Sequence, residues 1–555
     1  MTTERPTSGP SGPADTVAAS ADAAAREDLV PTQLDQAAAA PDATPTAPSY
    51  LTHSEIIQVM IGLMAGMFLA ALDQSIVGTA LPTIVSDLGG LEHMSWVVTA
   101  YLLTSTASTP LWGKISDLYG RRPLFQAAIV LFLIGSIMSG AADSMLTLIV
   151  GRAIQGMGGG GLMALALATI GDVVPPRERG RYQGFFGAMF GVSSVAGPLL
   201  GGFFTDGPGW RWIFWLNIPI GLAALVITSR ALHIPVVRRE HRIDYLGASL
   251  IVASVTSVLL YTSWAGEQYG WTAPLSLALL IGGLLLAVAF VLVETRAQEP
   301  IIPMPLFSKP VFRWSTLFAF LIGMAMFGGI VYLPMYLQVV RGYTPSQSGL
   351  GLLPMVLGIL FTSIGSGLLV TKWGRYKVFP IIGSAITAGA LVLLSRVTGD
   401  TPYALFAVYI FLLGAGLGFT MQTVVVAVQN DVDRRDLGSA TSAVTFFRSM
   451  GGAFGTAIFG AVLSARITHY LAELLPAGAA GSAGGALGDL TQIRRLPEAL
   501  QTPVLQAFMD SIQDLFLVAI PFVVVAFLVS FLIPEKPLGT RDSGSDNEAA
   551  PMALE

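Results

Sequence analysis

From Ile56 to Ile533 the chain alternates long apolar runs with short polar stretches, and the runs recur near the roughly 20 residues an α-helix needs to cross a bilayer. The pattern predicts fourteen spanning helices, over residues 56–81, 95–112, 124–141, 145–170, 182–204, 212–231, 243–264, 274–294, 313–339, 347–370, 377–395, 402–428, 438–464 and 512–533. Almost all the charge falls between them. The expectation is an all-α polytopic membrane protein.

Once the spans are set, each Lys and Arg belongs to one side. With the N-terminus inside, cytoplasmic segments hold twenty basic residues: Lys114, Arg121, Arg122, Arg177, Arg179, Arg181, Arg230, Arg238, Arg239, Arg242, Arg296, Lys309, Arg313, Lys372, Arg375, Lys377, Arg434, Arg435, Lys536 and Arg541. The other side receives six, Arg211, Arg341, Arg396, Arg466, Arg494 and Arg495. Positive charge accumulates on the cytoplasmic side of spanning helices, so both termini are expected in the cytoplasm of a cell with this multi-pass protein in its inner membrane. An even number of spans satisfies that requirement.

Composition agrees: of 555 residues, 53% are hydrophobic and 12% charged, against about a quarter charged in a soluble domain. The chain has no cysteine, which excludes disulfides, thiolate metal sites and thiol nucleophiles. A net charge of -5 leaves no basic footprint for nucleic acid. Residues 1–50 are rich in Ala, Pro, Thr and Asp and lack the apolar core of a signal peptide, so they and residues 535–555 read as disordered tails. The first span then acts as its own insertion signal.

An internal repeat organises the spans. GKISDLYGRR, Gly113 to Arg122, follows span 2, and GLLVTKWGR, Gly367 to Arg375, follows span 10 with the same spacing, Thr371 replacing Asp117. Residues 51–235 and 298–534 are then two six-helix halves, with an inserted helix pair over residues 236–297. Repeated halves with a site at their interface are the architecture of alternating access. A long stretch, residues 465–511, lies outside by topology, either as a cap over the outer vestibule or as a disordered connector.

GKISDLYGRR resembles the signature loop GxxxDxxGRR of the major facilitator superfamily, between spans 2 and 3 as in that family. LVGRAIQGMGGG in span 4 resembles its RxxQGxG motif, through Arg152, Gln155, Gly156 and Gly158. VAGPLLGG in span 5 resembles the antiporter motif GPxxGG, through Gly197, Pro198, Gly201 and Gly202. LDQSIVGTALP in span 1 and WRWIFWLNIPIG at span 6 are similar to the fourteen-helix drug-proton antiporters, with Ser75 and Gly78 where that pattern favours Thr and Asn. The resemblance covers Ile56 to Pro534 and implies proton-coupled efflux of amphipathic organic compounds, drugs or antibiotics. An exporter dedicated to one metabolite or lipid-like compound, or a nutrient importer, shares the fold. No GxxxxGK[ST] motif and no soluble catalytic domain are present, so neither an enzyme nor an ATP-driven pump is expected; no cofactor or metal is expected, only a proton gradient. The expected partners are the lipid bilayer and a small-molecule substrate, with the chain acting as a monomer.

Asp73 is the one acidic residue deep in a span, eight residues or roughly 12 Å from Leu81. A carboxylate there is costly to bury, so it suits binding and releasing a proton as the cavity opens to either side; the alternative is a fixed packing hydrogen bond. Arg152 inside span 4 must face a partner or water, and the resemblance implies proton coupling, the alternative being a lock between spans 1 and 4. The resemblance also implies a conformational latch of Gly113, Asp117, Gly120, Arg121, Arg122 and Asp172. Gly184, Gly187, Gly191, Ser194, Pro198 and Gly201 are expected on one smooth face of span 5. The Gly156–Gly161 run reads as helix packing, not a phosphate loop. Gln74, Gln155, Tyr332, Tyr336, Gln422 and Arg448 are candidates to line a cavity suited to bulky apolar cations, although Arg448 has no acidic partner in the C-terminal spans and equally suits snorkelling to an interface.

Overall fold

The computed structural model describes residues 53–89, 93–232, 244–267, 269–475 and 497–538, and every regular element among them is helical. We number the long helices α1 (His53–Leu88), α2 (Met94–Tyr119), α3 (Arg121–Gly140), α4 (Met145–Val173), α5 (Arg179–Asp206), α6 (Trp212–Ala231), α7 (Tyr245–Glu267) and α8 (Pro274–Glu294). Then follow α9 (Pro310–Met335), α10 (Ser346–Trp373), α11 (Val378–Leu394), α12 (Tyr403–Asp431), α13 (Leu437–Leu474) and α14 (Glu498–Leu532). Among the described residues eleven helices are long and apolar enough to cross a membrane; two shorter apolar stretches, Pro310–Met326 and Val378–Leu394, and the Ser/Thr-rich α2 stand at the other three predicted positions. The expected tails, the 236–242 loop and residues 476–496 lie outside the described residues.

Prolines account for two of the breaks. Pro219 and Pro354 each lack the N–H that would bond four residues back, and α6 and α10 step at Leu216 and Leu352 just before them. Pro334 precedes a π-turn, Tyr336–Val340, that ends α9. A third break, at Gln422 in α12, has no proline and sits at the central cavity described below.

The described helices divide around separate apolar cores. Phe125, Phe132, Leu162, Phe186 and their neighbours fill the half built from α1 to α6. Phe312, Phe318, Phe406, Phe459 and Phe508 anchor the other, which also takes in Ile251 and Leu259 of α7. Helix α7 packs on α2, α13 and α8. In α8 only 17% of the apolar window is buried, and Ile281, Leu285 and Val288 point outward, as a lipid-facing helix requires.

The halves meet along α5 with α10 and α2 with α13. A Cβ on Gly184 would lie 2.6 Å from the Ser363 carbonyl oxygen, and one on Gly187 2.1 Å from the Ser363 hydroxyl, so only glycine permits this approach. The predicted stripe turns off at its end. Gly202, five full helical turns from Gly184, keeps the face and meets Ser346, whereas Gly201 sits about 100° away and packs on Ile76 and Thr79 of α1. Gly197 shares that second face, against Ser75, whose hydroxyl donates to the Ser193 carbonyl at 2.8 Å. Span 5 thus carries two small-residue faces, one for the opposite half and one for α1.

The 465–511 stretch is also corrected at both ends. Helix α13 runs on to Leu474 and α14 begins at Glu498, because Val504, Ala507, Phe508, Ile512 and Leu515 bury one helical face. Asp514 ties the extensions together, 3.2 Å from Arg466 and accepting from the Tyr470 hydroxyl at 2.8 Å.

Candidate functional site

Asp73 lies midway along α1 with no exposed surface, and both carboxylate oxygens are engaged. Oδ2 pairs with the Arg152 guanidinium, and Oδ1 accepts from Gln155 Nε2 at 2.7 Å and Asn217 Nδ2 at 2.9 Å. Both amides also donate to Ser136 Oγ, at 2.9 and 2.7 Å, and the Ser136 hydroxyl donates to the Phe214 carbonyl at 3.2 Å. Arg152 further donates to Gln155 Oε1 at 2.7 Å and lies 4.3 Å over the Tyr101 ring. The cluster draws together α1, α3, α4 and α6. Close helix approach makes it possible: a Cβ on Gly135 would lie 2.4 Å from Gln155 N, and one on Gly156 2.3 Å from the Tyr101 carbonyl. The glycine run of α4 is therefore packing surface.

A second cluster closes one end of the bundle, here the Gly120 end. Gly120 turns the chain between α2 and α3 at φ 95, and Gly374 does so in the repeat at φ 69. Arg121 pairs with Asp117 and with Asp172, each at 2.6 Å. Asp117 then reaches across the interface to the start of α13, accepting from Gly438 N at 3.0 Å, Ser439 N at 2.8 Å and Ser439 Oγ at 3.0 Å. A carboxylate at a helix N-terminus meets unpaired N–H groups and the positive end of the dipole. Gly113 allows the approach, since its Cβ would fall 2.2 Å from the Ser442 hydroxyl. Arg122 does not join; it donates to the Ser229 carbonyl at the end of α6, 2.7 Å away.

A third cluster at the same end has no counterpart among the sequence motifs. Arg179 of α5 donates to the carbonyls of Gln429 at 2.7 Å and Gly171 at 2.6 Å, and Gln183 donates to Gln429 Oε1 at 2.7 Å. Gln429 returns a bond to the Leu167 carbonyl at 2.9 Å. Positive charge alone had placed Arg179 as a topology marker, and no motif covers Gln183 or Gln429.

Between the halves lies a cavity of about 90 Å³, whose polar lining includes Gln74, Tyr101, Thr109, Gln422, Thr445 and Arg448. Small-molecule sites span about 300–1,000 Å³, so the cavity in this conformation is too constricted for a ligand of that size. Three predicted cavity residues lie elsewhere. Gln155 is spent on Asp73. Tyr332 donates to the Thr456 carbonyl at 3.0 Å, and Tyr336 to the Thr398 carbonyl at 3.1 Å while accepting from Arg341 at 3.2 Å, which fixes both rings as braces within the C-terminal half. The snorkelling alternative for Arg448 also falls, since its side chain lines the interior cavity. No acidic residue lines it, contrary to a design for cations.

A larger hollow of about 720 Å³ sits at the opposite, Asp87 end, within the N-terminal half. Asp87 there accepts from Trp210 Nε1 and pairs with Arg211, each at 2.9 Å, which holds its carboxyl below the usual carboxylate range. No group of three or more potential metal ligands occurs among the described residues.

The family model described as Major Facilitator Superfamily matches residues 63–456. An MFS-type transporter of Mycobacterium tuberculosis is 41% identical, covering 88% of this chain and 71% of its own length. The multidrug transporter protein MdtP of Bacillus subtilis is 36% identical over 90% of this chain and 97% of its own. Among solved structures, the human organic anion transporter MFSD10 shares the fold with a TM-score of 0.58 at 14% identity, over 84% of this chain and 99% of that one.

Proposed function

The chain belongs to the major facilitator superfamily, and on that premise we propose that it exports small amphipathic organic compounds by proton antiport through alternating access. The observation that carries the coupling is the buried Asp73–Arg152 pair, tied by Gln155, Asn217 and Ser136 to four helices of one half. A proton arriving at Asp73 removes the charge that holds Arg152, and the guanidinium then relies on the Tyr101 ring and the Val97 carbonyl. Tyr101 lines the cavity, so the change at Asp73 is felt where substrate binds. The curated names of the bacillar relatives, a multidrug transporter protein and multidrug resistance protein 3, support efflux.

In this reading the Gly120 end faces the cytoplasm, with both termini there and the protein in the cytoplasmic membrane. The Asp117 and Arg179 clusters hold that end shut, and their release opens the cavity inward. Two halves suffice for the cycle, so a monomer is the working unit.

Everted vesicles acidified inside should accumulate an exported dye, and Asp73→Asn should abolish gradient-driven uptake while the protein remains folded. Uptake by the Asn variant at the wild-type rate, with the same dependence on the gradient, would remove Asp73 from the coupling.

A further inference from the structure

The central cavity has one ionised side chain in its lining, Arg448 of α13, and no carboxylate. Among the described residues no acidic group lies within ion-pair distance of Arg448; its one hydrogen bond is a long contact, 3.4 Å, to the Met421 carbonyl. Asp73, the acid nearest in sequence to the cavity residue Gln74, is fully engaged by Arg152, Gln155 and Asn217. A guanidinium keeps its proton, so it cannot lower the cost of burial by neutralising, and an anionic partner offsets that cost. Beside it the buried Gln422 Oε1 has no partner, and rotating that amide presents either its oxygen or its NH2 to a ligand. The remaining wall is apolar and compliant, with Met67, Met163, Phe186, Phe190 and Met326.

We propose that the cavity selects amphipathic organic acids, with Arg448 pairing with the substrate's carboxylate or similar oxyanion, Gln422 hydrogen-bonding beside it, and the Met and Phe wall taking the apolar body. This rests on the cavity being the substrate site but not on proton coupling. A cationic amphiphile would meet like charge with no counter-group in the lining. An arginine offers a planar fork that fits a carboxylate with two parallel bonds, which Lys does not reproduce.

The test is equilibrium binding to the full-length protein in nanodiscs, with empty nanodiscs as background and no pH gradient. The probes are dansylglycine, its neutral amide, and a dansyl derivative ending in trimethylammonium, read by fluorescence. The anion should bind at least about tenfold more tightly than the cation, as expected for a charge-assisted pair. Arg448→Gln should remove that preference, weakening the anion at least about tenfold more than the neutral amide, and Arg448→Lys should keep part of it. Equal or tighter binding of the cation, no saturable binding of any probe, or an unchanged anion preference in Arg448→Gln would overturn the proposal. If Arg448→Gln fails to fold, the ranking of the three probes on the wild-type protein decides. Anion binding without gradient-driven transport would refute proton-coupled export alone and leave this assignment standing.

Discussion

Asp117→Asn should loosen the Gly120 end. The carboxylate accepts three hydrogen bonds from the first residues of α13 and pairs with Arg121, and both side chains are only 5% exposed, so solvent screens little of the interaction. Hydrogen bonds to a charged group contribute about 1.5–3 kcal/mol each, and the amide keeps one acceptor while turning an NH2 toward a neighbouring N–H. Relief of the buried charge offsets part of the loss, leaving a net shift of about 2–4 kcal/mol away from the closed end. That corresponds to roughly a 30- to 1,000-fold change in the closed-to-open ratio. The chain has no cysteine, so a single Leu437→Cys reports without background. Leu437 is 1% exposed and packs on Gly171 of the other half, and the thiol is smaller than the side chain it replaces. Adding Asp117→Asn should raise its rate of maleimide labelling at least about thirtyfold, the lower end of that range. An unchanged labelling rate in a folded variant would show that Asp117 does not hold the end closed.

Gly158→Ala should lower the unfolding temperature, since a Cβ there would lie 2.5 Å from the Phe132 backbone nitrogen, an overpacking cost of about 1–3 kcal/mol; Gly365→Ala, with open space at its Cβ, should not. Asn217→Ala should leave the fold intact but slow gradient-driven transport at least about tenfold, because Asp73 and Ser136 both lose a donor; wild-type transport rates would exclude Asn217 from the coupling. Asp87 has a depressed carboxyl pKa, so its contacts with Trp210 and Arg211 stabilise the fold above the ordinary carboxylate value and fade as pH falls through the lowered one. Asp87→Asn should therefore unfold at a lower temperature than wild type near pH 6, with the gap narrowing below about pH 4. A gap that widens on acidification would contradict that sign.

The all-helical architecture and the order of its long apolar helices were legible in the sequence because a bilayer imposes a length and an apolarity that few other structures need. Asp73 and Arg152 were legible for the same reason, as charges where charge is costly. Their other partners were less so: Asn217 stood in a recognised motif, but nothing in one sequence places it opposite Asp73, and Ser136 looks like any small helical residue. The Arg179–Gln183–Gln429 cluster joins residues some 250 positions apart, Arg179 through a backbone carbonyl and Gln183 through one side-chain amide pair, and neither leaves a motif in a single sequence. The span 5 stripe shows the limit from another side. Spacings of three and four imply a face, but the accumulated angle places Gly202 rather than Gly201 at its end. Tyr332 and Tyr336 have the composition of cavity residues, and only the direction of their hydroxyls assigns them to bracing.

Proton movement coupled to substrate is the most direct test. Proteoliposomes loaded with a pH-sensitive dye should be given an outward gradient of a transported compound and no initial pH difference, with potassium and valinomycin clamping the potential. Exchange predicts that substrate leaving the lumen draws protons in, so the lumen acidifies with wild-type protein and does not with Asp73→Asn. Substrate efflux at the wild-type rate with no change in luminal pH, or acidification that persists in Asp73→Asn, would contradict proton antiport through Asp73.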